Sequence, residues 1–214
     1  MNSDRSLLAT FARLTVAATF PILLVAARSI YVGQVTSTFL LWNLFLAWLP
    51  LLFAALAVVL ARRSLLLALV PGLAWLVFLP NAPYLVTDLM HLANDGRVPV
   101  LFDTVLLFSF ALCGLALGLV SLRWMQGLVA QRWGSLHGWG FAATALGAAG
   151  FGIYLGRYGR WNSWDLLTQP SSLLRDVLGW LANPIDHWHT WAMSLLFASL
   201  LIFAYWLFHD LERS

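Results

Sequence analysis

About six times along the chain, about 20 mostly apolar residues follow one another, the length a helix needs to cross a hydrocarbon core. Nothing else in the sequence constrains the fold so strongly. A segment of that length and character can satisfy its backbone in lipid only by hydrogen bonding within itself, which means as a helix. The runs fall at residues 7–32, 39–61, 64–79, 99–122, 139–155 and 188–208. The expected fold is therefore all-α, a polytopic transmembrane helix bundle of about six spans forming one integral membrane domain over residues 1–214.

Composition excludes the alternatives. Hydrophobic residues make up 61% of the 214 and charged residues 10%, against about 25% charged in an ordinary soluble domain. A small water-soluble fold must turn part of its surface outward and could not hide this much apolar area. The net charge of +3 comes from arginine alone, since the chain has no lysine. Those arginines stand singly at the ends of apolar runs rather than in a basic stripe, so nucleic acid is not an expected partner and the bilayer is. The one cysteine, Cys113, has no intrachain partner to oxidise with.

Three spans carry marks of their own. In the first, Arg13 and Arg28 lie about one core-thickness apart, so each is expected to snorkel to its own interface. Arg13 also interrupts the apolar core that a cleaved signal peptide would need, although Val25-Ala26-Ala27 resembles a cleavage site; retention of the run is expected. The third span meets Pro80-Asn81-Ala82-Pro83, whose prolines remove donors and disfavour helix before them, so it should break there and resume as a short helix over residues 84–93. Residues 171–182 carry Leu173, Leu174, Val177, Leu178 and Leu181 at helical spacing, with Arg175 and Asp176 opposite and Ser171 or Ser172 to cap the start. They read as an amphipathic helix in the membrane interface before the last span.

Six spans put both termini on one side. Placing them in the cytoplasm leaves Arg5, Arg62, Arg63, Arg123, Arg132 and Arg213 inside, and Arg28, Arg97, Arg157, Arg160 and Arg175 outside, a slight bias in the expected direction. Most other polar residues then fall at the outer end. Asp88 and His91, three apart on one helical face, could hold a divalent metal with Asp103, and His187 or His189 could add a fourth ligand. An Asp–His hydrogen bond fixing a loop is the plainer alternative. Arg157 and Arg160 could form a fork for phosphate or carboxylate, with Gly156 and Gly159 permitting a tight backbone and Asn162 and Asp165 orienting the guanidinium groups. The plainer alternative there is anchoring, or pairing with Asp88, Asp103 or Asp165. Asn43 is expected to satisfy carbonyls freed at the break, and Asn81 to cap the short helix. Gly114-x-x-x-Gly118 and Gly152-x-x-x-Gly156 should allow close packing within the bundle.

Several strings in the chain are specific: Trp42-Asn43-Leu44-Phe45-Leu46-Ala47-Trp48-Leu49-Pro50, Leu79-Pro80-Asn81-Ala82-Pro83-Tyr84 leading to Thr87-Asp88 and His91, and Gly156-Arg157 followed by Arg160-Trp161-Asn162-Ser163-Trp164-Asp165. Through them nearly the whole sequence resembles the bacterial membrane family called domain of unknown function 1361. A local departure is Leu101-Phe102-Asp103, where a Trp-Tyr-Asp-like string is expected; Asp103 itself is present. The resemblance implies a multi-pass protein of the bacterial inner membrane and supplies no reaction.

Three functions fit these residues. In one, Asp88, His91 and Asp103 hold a catalytic metal that activates water while Arg157, Arg160, Asn162 and Asp165 bind an anionic lipid headgroup or envelope substrate. In the second, the broken third helix belongs to a small-solute or ion transporter. In the third, the polar residues only hold together a membrane assembly protein. The grouping of ionisable residues at one end, away from the midplane, favours the first and third.

Overall fold

Where the sequence stays apolar across a bilayer thickness, the computed structural model is helical. It describes residues 2–92 and 97–211. Along the chain run α1 (Asn2–Val32), α2 (Thr38–Ala61), α3 (Leu65–Phe78), α4 (Asn81–Thr87), a 3-10 turn (Asp88–His91), α5 (Val100–Trp133), α6 (Ser135–Arg157), α7 (Asp165–Thr168), α8 (Pro170–Ala182) and α9 (Trp188–Leu211). Among the described residues six helices are long and apolar enough to cross a membrane, α3 and α4 counting together with the 3-10 turn as the one from Leu65 to His91. The chain is a multi-pass membrane protein. Asp95 and the end expected for the short helix lie outside the described residues.

Local signals stop and start these helices. Gly33 ends α1 in the left-handed conformation at φ 73°, where only glycine avoids a Cβ clash. Ser64 starts α3, its hydroxyl oxygen accepting from the Leu66 amide at 3.2 Å. Gly134, at φ 94°, is the single residue between α5 and α6. Pro170 takes the first position of α8, where its missing N–H costs nothing, so neither Ser171 nor Ser172 caps that helix. At 34 residues, α5 is about 50 Å long, well beyond the hydrocarbon core and past the expected end at residue 122.

The proline-rich break is real but mild. Phe78 ends α3 and Asn81 begins α4, yet Leu79 and Pro80 both keep right-handed helical angles. Asn81 is the first residue of α4 rather than its cap. Its side chain turns back and donates to the Phe78 carbonyl at 3.0 Å, satisfying an acceptor expected to fall to Asn43.

The chain divides into two compact units, residues 1–125 and 126–214, with the boundary inside α5. In the first, Leu40, Leu44, Ala47 and Leu51 of α2 share a core with Ala82 and Leu85 of α4 and with Leu106, Phe110 and Leu117 of α5. Gly114 and Gly118 form the seat for α4: a Cβ at Gly114 would overlap the Ala82 carbonyl oxygen and stand 2.7 Å from Leu85 Cδ1. Buried Trp75 ties α3 to α5 by donating to Ser121 Oγ at 3.1 Å. The opposite face of α3, with Leu66, Leu69, Val70 and Leu73, is exposed, as a lipid-facing surface must be.

In the second unit α6 packs along α9. Gly150 makes the closest approach, since a Cβ there would stand 2.6 Å from the Ser194 carbonyl oxygen and 2.7 Å from the Ala198 nitrogen. Thr190 donates its hydroxyl hydrogen to the Tyr154 phenol oxygen at 3.0 Å, and Tyr205 donates to Gln126 Oε1. Trp180 of α8 meets Phe151 and Tyr154 of α6 edge-on at 6.3 and 5.7 Å.

The glycine seats give a direct check. Gly114→Ala should lower the thermal stability of the detergent-purified protein by about 1–3 kcal/mol, the usual cost of overpacking against backbone. Gly127→Ala, with open space around the added methyl, should stabilise by about 0.5–1 kcal/mol through helix propensity alone. Equal effects from the two substitutions would remove the seat from the account.

Candidate functional site

Each unit gathers its polar side chains at helix ends. In the first, Arg28 stands in the penultimate turn of α1 and Asp103 in the first turn of α5. The guanidinium grips the carboxylate through both oxygens, Nε to Oδ1 at 2.7 Å and Nη2 to Oδ2 at 3.1 Å, and both residues are buried. Its Nη1 donates to Thr36 Oγ1 at 2.9 Å, and the Thr36 amide donates to Ser29 Oγ at 3.3 Å, so the α1–α2 connection is bound into the same network. This corrects the expectation that Arg28 snorkels. A buried guanidinium is tolerable because a fork-on-carboxylate pair satisfies charge and hydrogen bonds together.

Asn43, one turn into α2, donates its amide to Asp88 Oδ2 at 2.8 Å. It thus holds the carboxylate rather than the freed carbonyls. Asp88 is 1% exposed and opens the 3-10 turn, while the preceding Thr87 folds its hydroxyl back onto the Tyr84 carbonyl at 2.6 Å. His91 lies at the exposed end of that turn with its ring edge-on to Phe39 at 5.2 Å.

The ligand set anticipated from Asp88, His91 and Asp103 is not assembled. Among the described residues no group of three or more His, Cys, Asp or Glu side chains could hold a metal ion. Asp103 has both oxygens engaged by Arg28, so the guanidinium already supplies the positive charge a metal would bring to that carboxylate. His187 and His189 add nothing to such a set: His189 is exposed and its ring lies against Trp188 at 3.6 Å.

The second grouping lies where α6 ends. The Tyr158 and Gly159 amides both donate to the Tyr154 carbonyl, and the Trp161 amide reaches back to the Leu155 carbonyl at 3.1 Å, which closes the chain tightly over the helix terminus. Gly159 is obligatory, because a Cβ would meet the Leu155 carbonyl oxygen at 2.7 Å and the Trp161 ring at 2.9 Å. The left-handed residue, however, is Arg160, at φ 56°. An L-residue other than glycine pays about 1–2 kcal/mol for that conformation, so an arginine held there stores strain at an exposed position.

The loop that follows is fixed by groups that leave Arg160 alone. Asp165 is buried and accepts at Oδ2 from the Asn162 amide at 2.7 Å and from Asn162 Nδ2 at 3.3 Å, while its Oδ1 accepts from Thr168 at 3.2 Å. Asn162 and Asp165 therefore brace each other instead of orienting the Arg160 guanidinium. Trp161 Nε1 donates to Asp176 of α8 at 3.1 Å. Among the described residues the Arg160 side chain makes no hydrogen bond or ion pair. Arg157, half-buried at the last position of α6, is engaged within the fold.

Arg28, Thr36, Thr168 and Asp176 were not among the expected site residues. Arg28 had a readable signal: it closes one span, Asp103 opens another, and alternating topology brings those two ends to the same side of the membrane. The pair can be weighed directly. Arg28→Ala should cost about 3–5 kcal/mol by leaving the Asp103 carboxylate buried without its partner, read as loss of the folded fraction in a detergent denaturation series. The double variant Arg28→Met/Asp103→Leu should recover most of that loss, and a double variant no better than Arg28→Ala would show that the two residues do not act as a pair.

No curated protein and no solved structure matches the chain. The model of the family described as "Protein of unknown function (DUF1361)" matches residues 42–204, which take in Asn43, Asp88, Asp103 and the whole loop around Arg160. With that match covering most of its length, the chain belongs to the DUF1361 family.

Proposed function

We propose that the protein recognises a phosphate- or carboxylate-bearing ligand at the surface of the bacterial inner membrane, with Arg160 as the gripping residue. In this reading both termini are cytoplasmic and the loop from Arg157 to Asp165 is extracytoplasmic, as the arginine distribution favours. The observation that carries it is the state of Arg160: exposed, in the left-handed conformation, and unpaired among the described residues on a loop otherwise tied down by Asp165 and Trp161. A planar guanidinium with five donors on a rigid platform suits a bidentate oxyanion. Arg157, Asn162 and Asp165 support the loop from behind. Asp88, Asn43, Asp103 and Arg28 hold helix ends together and take no ligand. The transport reading draws no support, since the paired acids sit at helix ends rather than at the midplane where transporter sites form.

Recognition and simple helix capping make opposite predictions for one substitution. Arg160→Gly relieves the left-handed strain, so it should raise thermal stability by about 1 kcal/mol while abolishing anion binding. Arg160→Lys keeps the charge but loses the fork, and affinity for glycerol 3-phosphate, followed by equilibrium dialysis of purified protein, should fall about tenfold or more, as for loss of one charge-assisted hydrogen bond. Wild-type affinity in Arg160→Gly would make Arg160 a helix cap and nothing else. For the orientation, Gln169→Cys in Cys113→Ser protein should react with a membrane-impermeant maleimide on intact spheroplasts. Labelling only after lysis would reverse the topology.

A further inference from the structure

The ligand of the Arg160 loop has so far been given only by its charge, and α8 says where it comes from. This helix has two apolar faces. One carries the half-buried Leu173, Val177 and Trp180, with Trp180 against Phe151 and Tyr154 of the unit's own α6, and the neighbouring Asp176 receives the Trp161 indole hydrogen. The other consists of Leu174, Leu178 and Leu181, spaced one turn apart at i, i+4 and i+7 and each 52 to 57% exposed. Ile185, 85% exposed, lies beyond the helix end at the next step of the series. On the flank Arg175 is exposed and, like Arg160, makes no hydrogen bond or ion pair among the described residues.

We infer that this second face rests in the headgroup–acyl boundary, and that the loop and helix together bind a membrane lipid with an anionic headgroup, phosphate on Arg160 and acyl chains along Leu174, Leu178 and Leu181. The inference rests on the anion reading of Arg160 and adds the source of the anion. Three features commit the face to lipid. In sequence α8 connects two spans, α6 and α9, so it lies where the chain leaves and re-enters the membrane. The unengaged charges of the loop and α8, Arg160 and Arg175, are both cationic, which complements an anionic leaflet. A helix with an apolar stripe and arginine on its flank is the form that lies flat in a bilayer interface. Trp161 connects the two parts, so the helix that lies on the lipid also sets the position of the residue that reads the headgroup.

The test compares a phosphate held in a lipid with a phosphate free in solution. Dioleoyl-phosphatidylglycerol binding to the detergent-purified full chain is followed by native mass spectrometry, with dioleoyl-phosphatidylcholine as the reference lipid, and glycerol 3-phosphate binding by equilibrium dialysis. Wild type should prefer phosphatidylglycerol over phosphatidylcholine at least tenfold and bind it at least tenfold more tightly than glycerol 3-phosphate. In Leu178→Gln/Leu181→Gln the tighter binding of phosphatidylglycerol over glycerol 3-phosphate should disappear while glycerol 3-phosphate binding stays within twofold of wild type. Should that variant unfold, Leu174→Ser and Ile185→Ser, singly and in exposed positions, must each reduce the same ratio. A ratio unchanged in all of these variants, or wild-type binding no tighter to the lipid than to glycerol 3-phosphate, overturns the inference and leaves a site for a soluble anion. Arg160→Lys should weaken both ligands; if it weakens neither, the anion reading itself is wrong.

Discussion

In hydrocarbon a polar group has no water to return to, so every buried charge must find its partner inside the protein or not be there. The Arg28–Asp103 fork is the clearest answer this chain gives to that rule. It places an arginine near the end of α1 and an aspartate at the start of α5 in one bidentate contact, and it draws the α1–α2 connection in through Thr36. Asn43 and Asp88 do the same for α2 and the turn that ends the broken third span. Neither pair gains much net energy against apolar packing, because desolvation offsets most of the attraction. What each contributes is specificity: one arrangement of helix ends leaves no charge stranded.

The same rule explains why the second unit looks functional where the first looks structural. In the first, the acids that a metal would need are committed to arginine and asparagine. In the second, Asp165 and Asp176 are committed to the loop backbone and to Trp161, and the arginine beside them is left over. An exposed guanidinium at a strained backbone position is costly to keep. It makes sense where something outside the protein completes it, and in our proposal that something is a lipid lying along the leucine face of α8.

The sequence displays the spans openly because apolar length is a one-dimensional signal, and Pro80 and Pro83 mark the interruption for the same reason. It hides the continuation of α5 to Trp133, since Arg123, Gln126 and Arg132 are good helix formers that say nothing about where lipid ends. The candidate site is legible as a set of residue types, and its pairings are not. Asn43 can reach a carbonyl or a carboxylate, and only the fold decides for Asp88. Asp88, His91 and Asp103 resemble a ligand set on paper because Arg28, 75 residues from Asp103, is not in view. Gly159 invites the left-handed conformation that Arg160 in fact adopts, because the tight contact of Gly159 with the Leu155 carbonyl and the Trp161 ring is a three-dimensional fact.

The central claim is that Arg160, and not the buried Arg28, meets phosphate in the membrane. Solid-state NMR on protein reconstituted in phosphatidylglycerol-containing bilayers, with arginine labelled at the guanidinium carbon, measures that contact through carbon–phosphorus dipolar dephasing. Assignment by Arg160→Lys and Arg28→Lys spectra separates the two residues. The account predicts strong dephasing for the Arg160 signal, at hydrogen-bonding proximity to lipid phosphorus, and none for Arg28. An Arg160 signal that does not dephase, or an Arg28 signal that does, contradicts it.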